Sequence, residues 1–449
     1  MIRHPDTIAA PATAAGGAIA VIRVSGSDAL AVCDRIFRGR APLTEADGYT
    51  VHFGRIADGE RFVDEVLATV FRAPRSYTGE DSVEISCHGS AFIIFEILRL
   101  LTASGARMAE PGEFTIRAYL AGKLDLAQAE AVADLIASSS RAAHALAANQ
   151  LRGGFSRALD TLRERLLHLV SLLELELDFS EEEVEFAGRE QLRETMEEIG
   201  REIGSLRESF ALGNAIREGV PVAIVGTPNV GKSTLLNRLL GEERAMVSEI
   251  AGTTRDVIEE RINIDGVLFR FLDTAGIRST DDRLERMGIQ RTMESISRAR
   301  IVLRMLDAAA IDGNEAPGFS LRADQTLLTV INKIDTRPGL TLPAGALGIS
   351  ARSGEGIDEL RKALRAAVDV EALYHGDAVV SSSRHREALD EAHEALCSAL
   401  ESLRDGRPTD LLSEEIRRVT RHLGTITARG EIASEEVLGN IFSKFCIGK

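Results

Sequence analysis

The sequence predicts a multidomain protein of mixed α/β and all-α class. Three observations lead to this prediction. Short β-rich runs separated by turn residues fill the first 118 residues, alanine, leucine and glutamate recur at helical spacing from Leu124, and strands alternate with helices from about Val220 to Val368. A chain of 449 residues is also long enough for about three domains, each with its own hydrophobic core.

The N-terminal segment, residues 1–118, is predicted to form a small α+β domain. Three runs rich in β-branched residues are expected to be strands, at residues 18–24, 63–71 and 82–86. One apolar stretch near residues 92–103 has helical spacing. This mixture of strands, turns and a helix is typical of the α+β class.

Long helices are expected on both sides of the α/β domain, in residues 119–215 and 373–449. In the first of these segments, residues 153–154 are the only obvious break before Gly213. The second segment has one apolar helical face, which carries Leu389, Ala392, Leu396, Ala399 and Leu403. A helical hairpin alone could not bury such a face. We therefore expect the α/β domain, residues 216–372, to be inserted into one helical domain.

Composition limits the possible functions. The formal net charge is -16, from 53 basic and 69 acidic residues, so the chain by itself should be a poor polyanion binder. No signal-peptide core and no run of about eighteen apolar residues is found, which predicts a cytoplasmic protein with no membrane segment. The cysteines have neither disulfide-framework nor metal-site spacing and are Cys33, Cys87, Cys397 and Cys446.

Four short motifs together indicate a guanine-nucleotide site in a P-loop, Ras-like domain with a doubly wound, mainly parallel sheet. They are GTPNVGKS at 226–233, AGTTRD at 251–256, DTAG at 273–276 and NKID at 332–335. The first follows an apolar run and precedes a helical segment, which is the order that a phosphate-binding loop requires. One such motif alone would be a weak signal, but four in this order are not.

The first three motifs are expected to hold the phosphates. Lys232 should bridge the β- and γ-phosphate oxygens, and the Ser233 hydroxyl should bind Mg²⁺. Thr254 is the expected second magnesium ligand, Asp273 should act through water, and the Gly276 amide should sense the γ-phosphate. The nucleotide-contacting residues expected here are Asn229, Val230, Gly231, Lys232, Ser233, Thr234, Thr254, Asp273, Thr274, Ala275 and Gly276.

The fourth motif is expected to select guanine. The Asp335 carboxylate can accept hydrogen bonds from the guanine imino and amino groups, which adenine does not offer in that arrangement. A backbone amide near Ser350 and Ala351 is expected at the guanine carbonyl. The base-binding residues expected are Asn332, Lys333, Asp335, Ser350, Ala351 and Arg352.

Lysine is rare in this chain, which draws attention to the few that are present. Lys232 and Lys333 lie in nucleotide motifs, where a compact ammonium fits better than a guanidinium. By the same reasoning Lys123 and Lys449 are candidate ligand-binding residues. The remaining lysines, Lys362 and Lys444, are interpreted as remnants of an arginine-biased composition.

A water-orienting glutamine is absent after DTAG, where Ile277 stands. Candidates for this role are Asp281, Asp282 and Glu285, although a charged, solvated helix entry is an equally good interpretation from the residues alone.

The chain resembles the MnmE (TrmE) family of tRNA-modification GTPases along its whole length. The resemblance is carried by TIAAPAT near the start, PGEFTIRAYLAGKLDLAQAEAVADLI at 111–136, LERMGI at 284–289 and FCIGK at 445–449. It implies a folate-binding N-terminal domain that also forms a homodimer, and a helical domain interrupted by the GTPase domain. It further implies a potassium site of Asn229, Ser248, Ile250 and Thr253, and Glu285 as catalytic glutamate.

The resemblance also implies a pocket for 5,10-methylene- or 5-formyltetrahydrofolate, formed by Arg23, Glu84, Lys123 and Lys449. A carboxylate such as Glu84 can pair with the adjacent donors of a pterin ring. Without the resemblance, Arg23 would be interpreted as a strand-end arginine in a surface ion pair. Cys87 and Ser90 stand where family members usually have glycine.

Family membership would place Cys446 near one-carbon chemistry at the wobble uridine of certain tRNAs. That chemistry implies a heterotetramer with the flavoprotein MnmG, which would carry FAD, because this chain has no dinucleotide fingerprint. Two alternatives stay open from the sequence. One is a ribosome-assembly GTPase, which would need an RNA-binding module that we do not find, and the other is a folate enzyme regulated by GTP without a tRNA substrate.

Overall fold

The structure, a computed structural model, describes residues 6–178, 188–243, 259–272, 293–310, 320–371, 378–428, 434–443, 445 and 448. The chain divides into two compact units. One comprises Met1–Ala133 with Leu423–Lys449, and the other comprises Asp134–His422.

The strands form two separate sheets. In chain order they are β1 Ile8–Pro11, β2 Ile19–Ser25, β3 Phe37–Gly39, β4 Thr50–Asp58, β5 Arg61–Phe71, β6 Ser82–His88, β7 Arg107–Met108, β8 Val220–Val225, β9 Glu260–Ile264, β10 Val267–Phe271, β11 Ile301–Asp307, β12 Thr326–Asn332 and β13 Ala346–Ile349.

The α-helices with defined bounds connect these strands and extend beyond them. In chain order they are α1 Ala29–Ile36, α2 Ala91–Ala103, α3 Glu113–Leu120, α4 Leu126–Ala137, α5 Arg141–Leu151, α6 Gly154–Asp178, α7 Arg189–Glu218, α8 Lys232–Glu243, α9 Ile357–Ala366, α10 Ser383–Arg404, α11 Thr409–Thr427 and α12 Glu435–Phe442. None of the described helices is long and apolar enough to cross a membrane.

The first unit is built on a seven-stranded sheet in the order β3-β4-β5-β6-β2-β1-β7. All neighbouring strands are antiparallel except β1 and β7. Side chains from α1 and α2 join Ile22, Ile85 and other strand residues in one buried core. The α+β class predicted for the N-terminal segment is confirmed. The sequence did not predict helix α1 or several strands, such as β1 and β4.

The other face of this sheet carries exposed side chains. Phe53 of β4 and Leu67 of β5 are directly paired, and their exposures are 66% and 46%. Along β6 and β2, Glu84 pairs with Arg23. Because β4, β5, β6 and β2 are in register, residues opposite one another point to the same side. The apolar and charged residues therefore share one open sheet face.

The second unit contains a six-stranded sheet in the order β13-β12-β11-β8-β10-β9. All pairs are parallel except β9 with β10. Alternate residues of β8 enter two different cores, with Val222 and Ile224 on one side and Ala223 and Val225 on the other. Both faces of the sheet are therefore covered, which confirms the predicted doubly wound, mainly parallel architecture.

Long helices pack together within the same unit, and they come from both sides of the sheet in sequence. The predicted apolar face of α10 is buried at Leu389 and Leu396. Arg207 of α7 donates to Asp390 of α10 at 2.6 Å. Helices that precede and follow the sheet in sequence therefore pack together, whereas the insertion and the domain boundaries at residues 118, 215 and 372 stay predictions.

Gly213 does not break a helix, contrary to the expectation from sequence. It lies inside α7, which continues to Glu218. A Cβ atom at this position would lie 2.1 Å from the carbonyl oxygen of Val380. Glycine is therefore required here by a close approach of two backbones, and its low helix propensity is overridden by tertiary packing.

Candidate functional site

The loop between β8 and α8 has a backbone that few residue types other than its own can adopt. Asn229 and Gly231 both have positive φ angles, of 61° and 103°. A Cβ atom on Gly231 would lie 2.2 Å from Nδ2 of Asn332, and one on Gly226 would lie 2.5 Å from the Met305 carbonyl oxygen. The chain then enters α8 at Lys232. A loop whose backbone path requires glycine, and which leads into a helix N-terminus, is suited to binding phosphate.

Lys232 folds back over this loop. Its Nζ donates to the carbonyl oxygens of Gly226 at 2.8 Å and Thr227 at 3.1 Å. Burial lowers the pKa of the Lys232 ammonium, since desolvation penalises its charged form. A phosphate beside Nζ would remove this penalty, so the residue is suited to an anionic ligand. Ser233 and Thr234 follow in the first turn of α8.

Asn332 joins three parts of the site. Its Nδ2 donates to the Val230 carbonyl oxygen at 2.8 Å, and its Oδ1 accepts from the Ala351 amide at 3.0 Å. Asn332 is almost fully buried. The sequence predicted a base-binding role for this residue, and its described contacts are structural ones that hold the phosphate loop against the segment after β13.

The base side of the site is formed by two turns. Ser350 is buried, and its amide donates to the Glu355 carbonyl oxygen at 2.9 Å. The Ala351 amide, which was expected near the guanine carbonyl, donates to Asn332. Arg238 of α8 donates to the carbonyl oxygens of Ala351 and Arg352. These hydrogen bonds attach the loop after β13 to the helix that follows the phosphate loop.

Lys333 and Asp335 follow Asn332 in a tight turn. Lys333 has a φ of 65°, and its Nζ lies 2.6 Å from Oδ2 of Asp307. Burial opposes ionisation of Asp307, but the hydrogen bonds from Lys333 and the Ala309 amide outweigh it and hold the pKa of this carboxyl below its usual range. The Asp335 carboxylate is exposed. Sequence reasoning missed Asp307, although its place at the end of β11, opposite Asn332, could have indicated it.

Several predicted site residues lie outside the described residues, so their positions stay predictions. These are Ser248, Ile250, Thr253, Thr254, Asp273, Thr274, Ala275, Gly276, Glu285, Cys446 and Lys449.

In the N-terminal unit, Arg23 and Glu84 form a cross-strand ion pair. Both Nε and Nη2 of Arg23 donate to Oε1 of Glu84, at 3.0 and 2.8 Å. The guanidinium also lies over two aromatic rings, 5.1 Å from the centroid of Tyr77 and 5.6 Å from that of Phe114. Such cation–π contacts fix the orientation of a guanidinium. The sequence did not identify Tyr77 or Phe114, because neither lies in a strand next to Arg23.

The loop between β5 and β6 brings further residues to this ion pair. Gly79 of this loop lies beside the side chain of Lys123. A Cβ atom added to Gly79 would lie 3.7 Å from Cε of Lys123. Thr78 hydrogen-bonds Ser25 of β2 at 2.7 Å. Of the four residues expected around folate, Arg23 and Glu84 are thus paired on β2 and β6, and the Lys123 side chain lies near the loop that carries Tyr77. The fourth, Lys449, lies outside the described residues.

Comparisons with known proteins cover nearly the whole chain. The family model "GTP-binding protein TrmE N-terminus" matches residues 7–123, and the model "MnmE helical domain" matches residues 126–446. A protein of Cytophaga hutchinsonii named tRNA modification GTPase MnmE is 49% identical over 99% of this chain and 98% of its own length. A protein of the same name from Bacteroides fragilis is 48% identical over 99% of this chain and 100% of its own length.

The chain belongs to the MnmE family. A solved structure of the FeoB G-domain from Methanococcus jannaschii is 28% identical, covers 33% of this chain and 96% of that chain, and has a TM-score of 0.25. Both the phosphate loop and the Arg23–Glu84 pair lie within the range aligned to the MnmE relatives.

The C-terminal motif of this MnmE family member is anchored within the N-terminal unit. A Cβ atom on Gly448, whose φ is 99°, would lie 2.0 Å from the Pro11 carbonyl oxygen. Phe442 and Phe445 are buried in a cluster with Leu126 and Ala129. The end of the chain thus packs beside the end of β1, which no local sequence pattern indicated.

Proposed function

We propose that this GTPase acts with the flavoprotein MnmG to add a carboxymethylaminomethyl or aminomethyl group to C5 of the wobble uridine of certain tRNAs. Near-50% identity over the full length to proteins named tRNA modification GTPase MnmE carries the proposal. It is supported by a glycine loop, a half-buried lysine and an exposed aspartate, which are the residue types that a guanine-nucleotide site uses.

GTP binding is proposed at the phosphate loop and the turn of Asp335. Ser233 and Thr254 would bind Mg²⁺, whose charge neutralises the phosphate oxygens. The donor types fit this metal, since magnesium prefers oxygen ligands. Lys232 holds an ammonium within the loop, at 2.8 Å from the Gly226 carbonyl oxygen, where it can exchange carbonyl partners for phosphate.

Potassium is proposed as an activator at Asn229, Ser248, Ile250 and Thr253. The place of Asn229 in the phosphate loop supports this, because its side-chain amide oxygen is a ligand type that hard cations prefer. Glu285 is proposed to orient the attacking water, since Ile277 cannot.

We expect GTP turnover to be at least tenfold faster in KCl than in NaCl at equal ionic strength. Glu285→Ala should slow turnover without weakening nucleotide binding, measured with a fluorescent GDP analogue. Equal rates in the two salts, or a weakened affinity that accounts for the slower rate, would contradict the assignment.

Tetrahydrofolate is proposed at Arg23, Glu84, Lys123 and Lys449, with a homodimer formed by the N-terminal domains. The tetrahydrofolate site is supported by Arg23, whose orientation is fixed by cation–π contacts, and by its partner Glu84. The homodimer is supported by Phe53 and Leu67, which are directly paired and exposed on the same open sheet face. Exposed apolar patches of this kind mark interfaces. Cys446 is proposed to take part in the one-carbon chemistry, and FAD to stay on MnmG.

Nucleoside analysis of tRNA tests the central proposal. Cells that lack the gene should lose the C5-modified wobble uridine, and the wild-type gene should restore it. Unchanged wobble nucleosides together with accumulated ribosome precursors would instead support the assembly-factor alternative.

A further inference from the structure

We propose that Tyr77 is a specificity-determining residue of the Arg23–Glu84 site, whose ring contacts the flat pyrimidinone ring of a bound tetrahydropterin. This inference rests on the proposed tetrahydrofolate site and names a contact that the sequence did not indicate.

The ion pair leaves one carboxylate oxygen available to a ligand. Both Arg23 donors go to Oε1 of Glu84. Within the part of the chain that the structure describes, Oε2 of Glu84 has no hydrogen-bond donor, and the side chain is partly exposed. A carboxylate oxygen in this state can accept from the amino and ring N–H groups on one edge of a pyrimidinone.

Tyr77 stands beside the Arg23 guanidinium, which pairs with that carboxylate, and its ring has a fixed orientation. Its ring lies 5.1 Å from the Arg23 guanidinium carbon, and its hydroxyl lies 2.9 Å from Oγ1 of the fully buried Thr115 of α3. The hydroxyl of the neighbouring Thr78 forms a hydrogen bond with the hydroxyl of Ser25. The residue is nevertheless 37% exposed. A ring that is ordered before binding loses little conformational entropy when a ligand contacts it.

The geometry of a pterin explains why an aromatic neighbour suits this position. Its donors lie along one edge in the ring plane, so pairing with Glu84 fixes that edge and leaves both ring faces to be covered. An aromatic side chain next to the carboxylate can cover one face in an offset or edge-on arrangement. An aliphatic carboxylate ligand or an inorganic anion would gain nothing from such a neighbour.

A role in holding the loop to α3 would act through the Tyr77 hydroxyl. Four variants of the full-length protein separate this role of the hydroxyl from a role of the ring. Tyr77→Phe keeps the ring and removes the Thr115 contact, Thr115→Val removes the same contact from the other side, and Tyr77→Ala removes the ring. Tyr49→Ala is the matched control, because Tyr49 is an exposed tyrosine of the same unit that contacts Phe71 and not Arg23.

The probe is 5-formyltetrahydrofolate, titrated by calorimetry, with 6-methyltetrahydropterin as the fragment that lacks the benzoylglutamate tail. We expect Tyr77→Ala to weaken both probes about tenfold, which corresponds to about 1.4 kcal/mol. Tyr77→Phe, Thr115→Val and Tyr49→Ala should stay within about twofold of the wild type. Circular dichroism and GTP turnover of each variant check that the chain is folded.

Three results would overturn the inference. If Tyr77→Ala binds both probes like the wild type, Tyr77 does not contact the pterin. If Tyr77→Phe or Thr115→Val weakens binding as much as Tyr77→Ala, the role is to position the loop. If the wild type binds neither probe, the tetrahydrofolate proposal itself fails and the Tyr77 contact fails with it, which is distinguishable from the first two results.

Discussion

Residues at the proposed nucleotide site have two different roles, because some hold the loops in place and others can contact a ligand. Asn332 is buried and bonds both Val230 and Ala351, so it holds the phosphate and base loops together. Asp335, only three residues later, is exposed at the surface of the same turn. Burial thus separates a residue that shapes the site from one whose carboxylate can meet a ligand.

The exposed carboxylate of Asp335 gives a specificity prediction. Asp335→Asn should lower GTP affinity by at least tenfold and shift preference toward XTP, because an amide can donate to the extra xanthine carbonyl, whereas a carboxylate cannot. Competition binding with GTP, XTP and ATP measures this. Asp324→Asn is a suitable control, since Asp324 is exposed in the same unit and pairs with Arg322. An unchanged ratio of GTP to XTP affinity would exclude the assigned role.

At the scale of elements, α3 is joined to the sheet by a cluster of charges. Glu113 of α3 accepts from Arg107 at 2.7 Å and from Arg117 at 2.9 Å. Arg117 is buried and also contacts Glu80 in the β5–β6 loop. Burial alone would raise the pKa of Glu113, but hydrogen bonds from Arg107, the Glu110 amide and Arg117 outweigh it and lower that pKa. This cluster supports the loop that carries Tyr77.

The lowered pKa of Glu113 makes its contribution to stability depend on pH. A carboxyl whose pKa is lower in the folded state stabilises the fold above its unfolded value of 4.5, and this stabilisation is lost as pH falls through the folded value. Glu113→Gln should therefore reduce the free energy of unfolding by about 1–3 kcal/mol at pH 7, and by much less in acid.

Urea unfolding at pH 7 and near pH 3.5 measures this difference. The chain has no tryptophan and four tyrosines, and Tyr49, Tyr77 and Tyr119 lie in the first unit, so tyrosine fluorescence reports mainly on that unit. Glu65→Gln, at an exposed carboxylate of β5, is the matched control. An equal loss for Glu113→Gln at both pH values would argue against the charge cluster.

At the scale of the whole molecule, the two ends of the chain belong to one compact unit. Met1–Ala133 and Leu423–Lys449 group together, and Gly448 lies against Pro11. The C-terminal motif, in which Cys446 and Lys449 are predicted to function, is thus part of the unit that contains Arg23 and Glu84. The proposed GTP site lies in the other unit.

This division predicts that the two activities can be separated. Gly448→Ala should reduce wobble-uridine modification several-fold, because its Cβ atom would lie 2.0 Å from the Pro11 carbonyl oxygen, and should leave GTP turnover within about twofold. Gly406→Ala is the matched control, since Gly406 also has a positive φ but has nothing within 4 Å of an added Cβ. Nucleoside analysis of complemented cells gives the result, and wild-type modification with Gly448→Ala would refute the prediction.

The sequence by itself determined the class of each segment and the phosphate loop. These features depend on local spacing, because strand alternation, helical periodicity and a glycine loop before a helix are each encoded within a few consecutive residues. Strand β6, predicted at residues 82–86 and observed at Ser82–His88, was therefore found within about two residues of its bounds.

Only the tertiary structure decided which distant residues meet. The bridge from Asn332 to Val230 and Ala351, the place of Tyr77 over Arg23 and the contact of Gly448 with Pro11 all depend on sheet register and on packing between elements far apart in sequence. Gly213 is a further example. Its low helix propensity predicts a helix break, but the helix continues, and glycine is needed there because the Val380 backbone lies so close. Local patterns carry no information about such neighbours, because contact requires the whole fold to be in place.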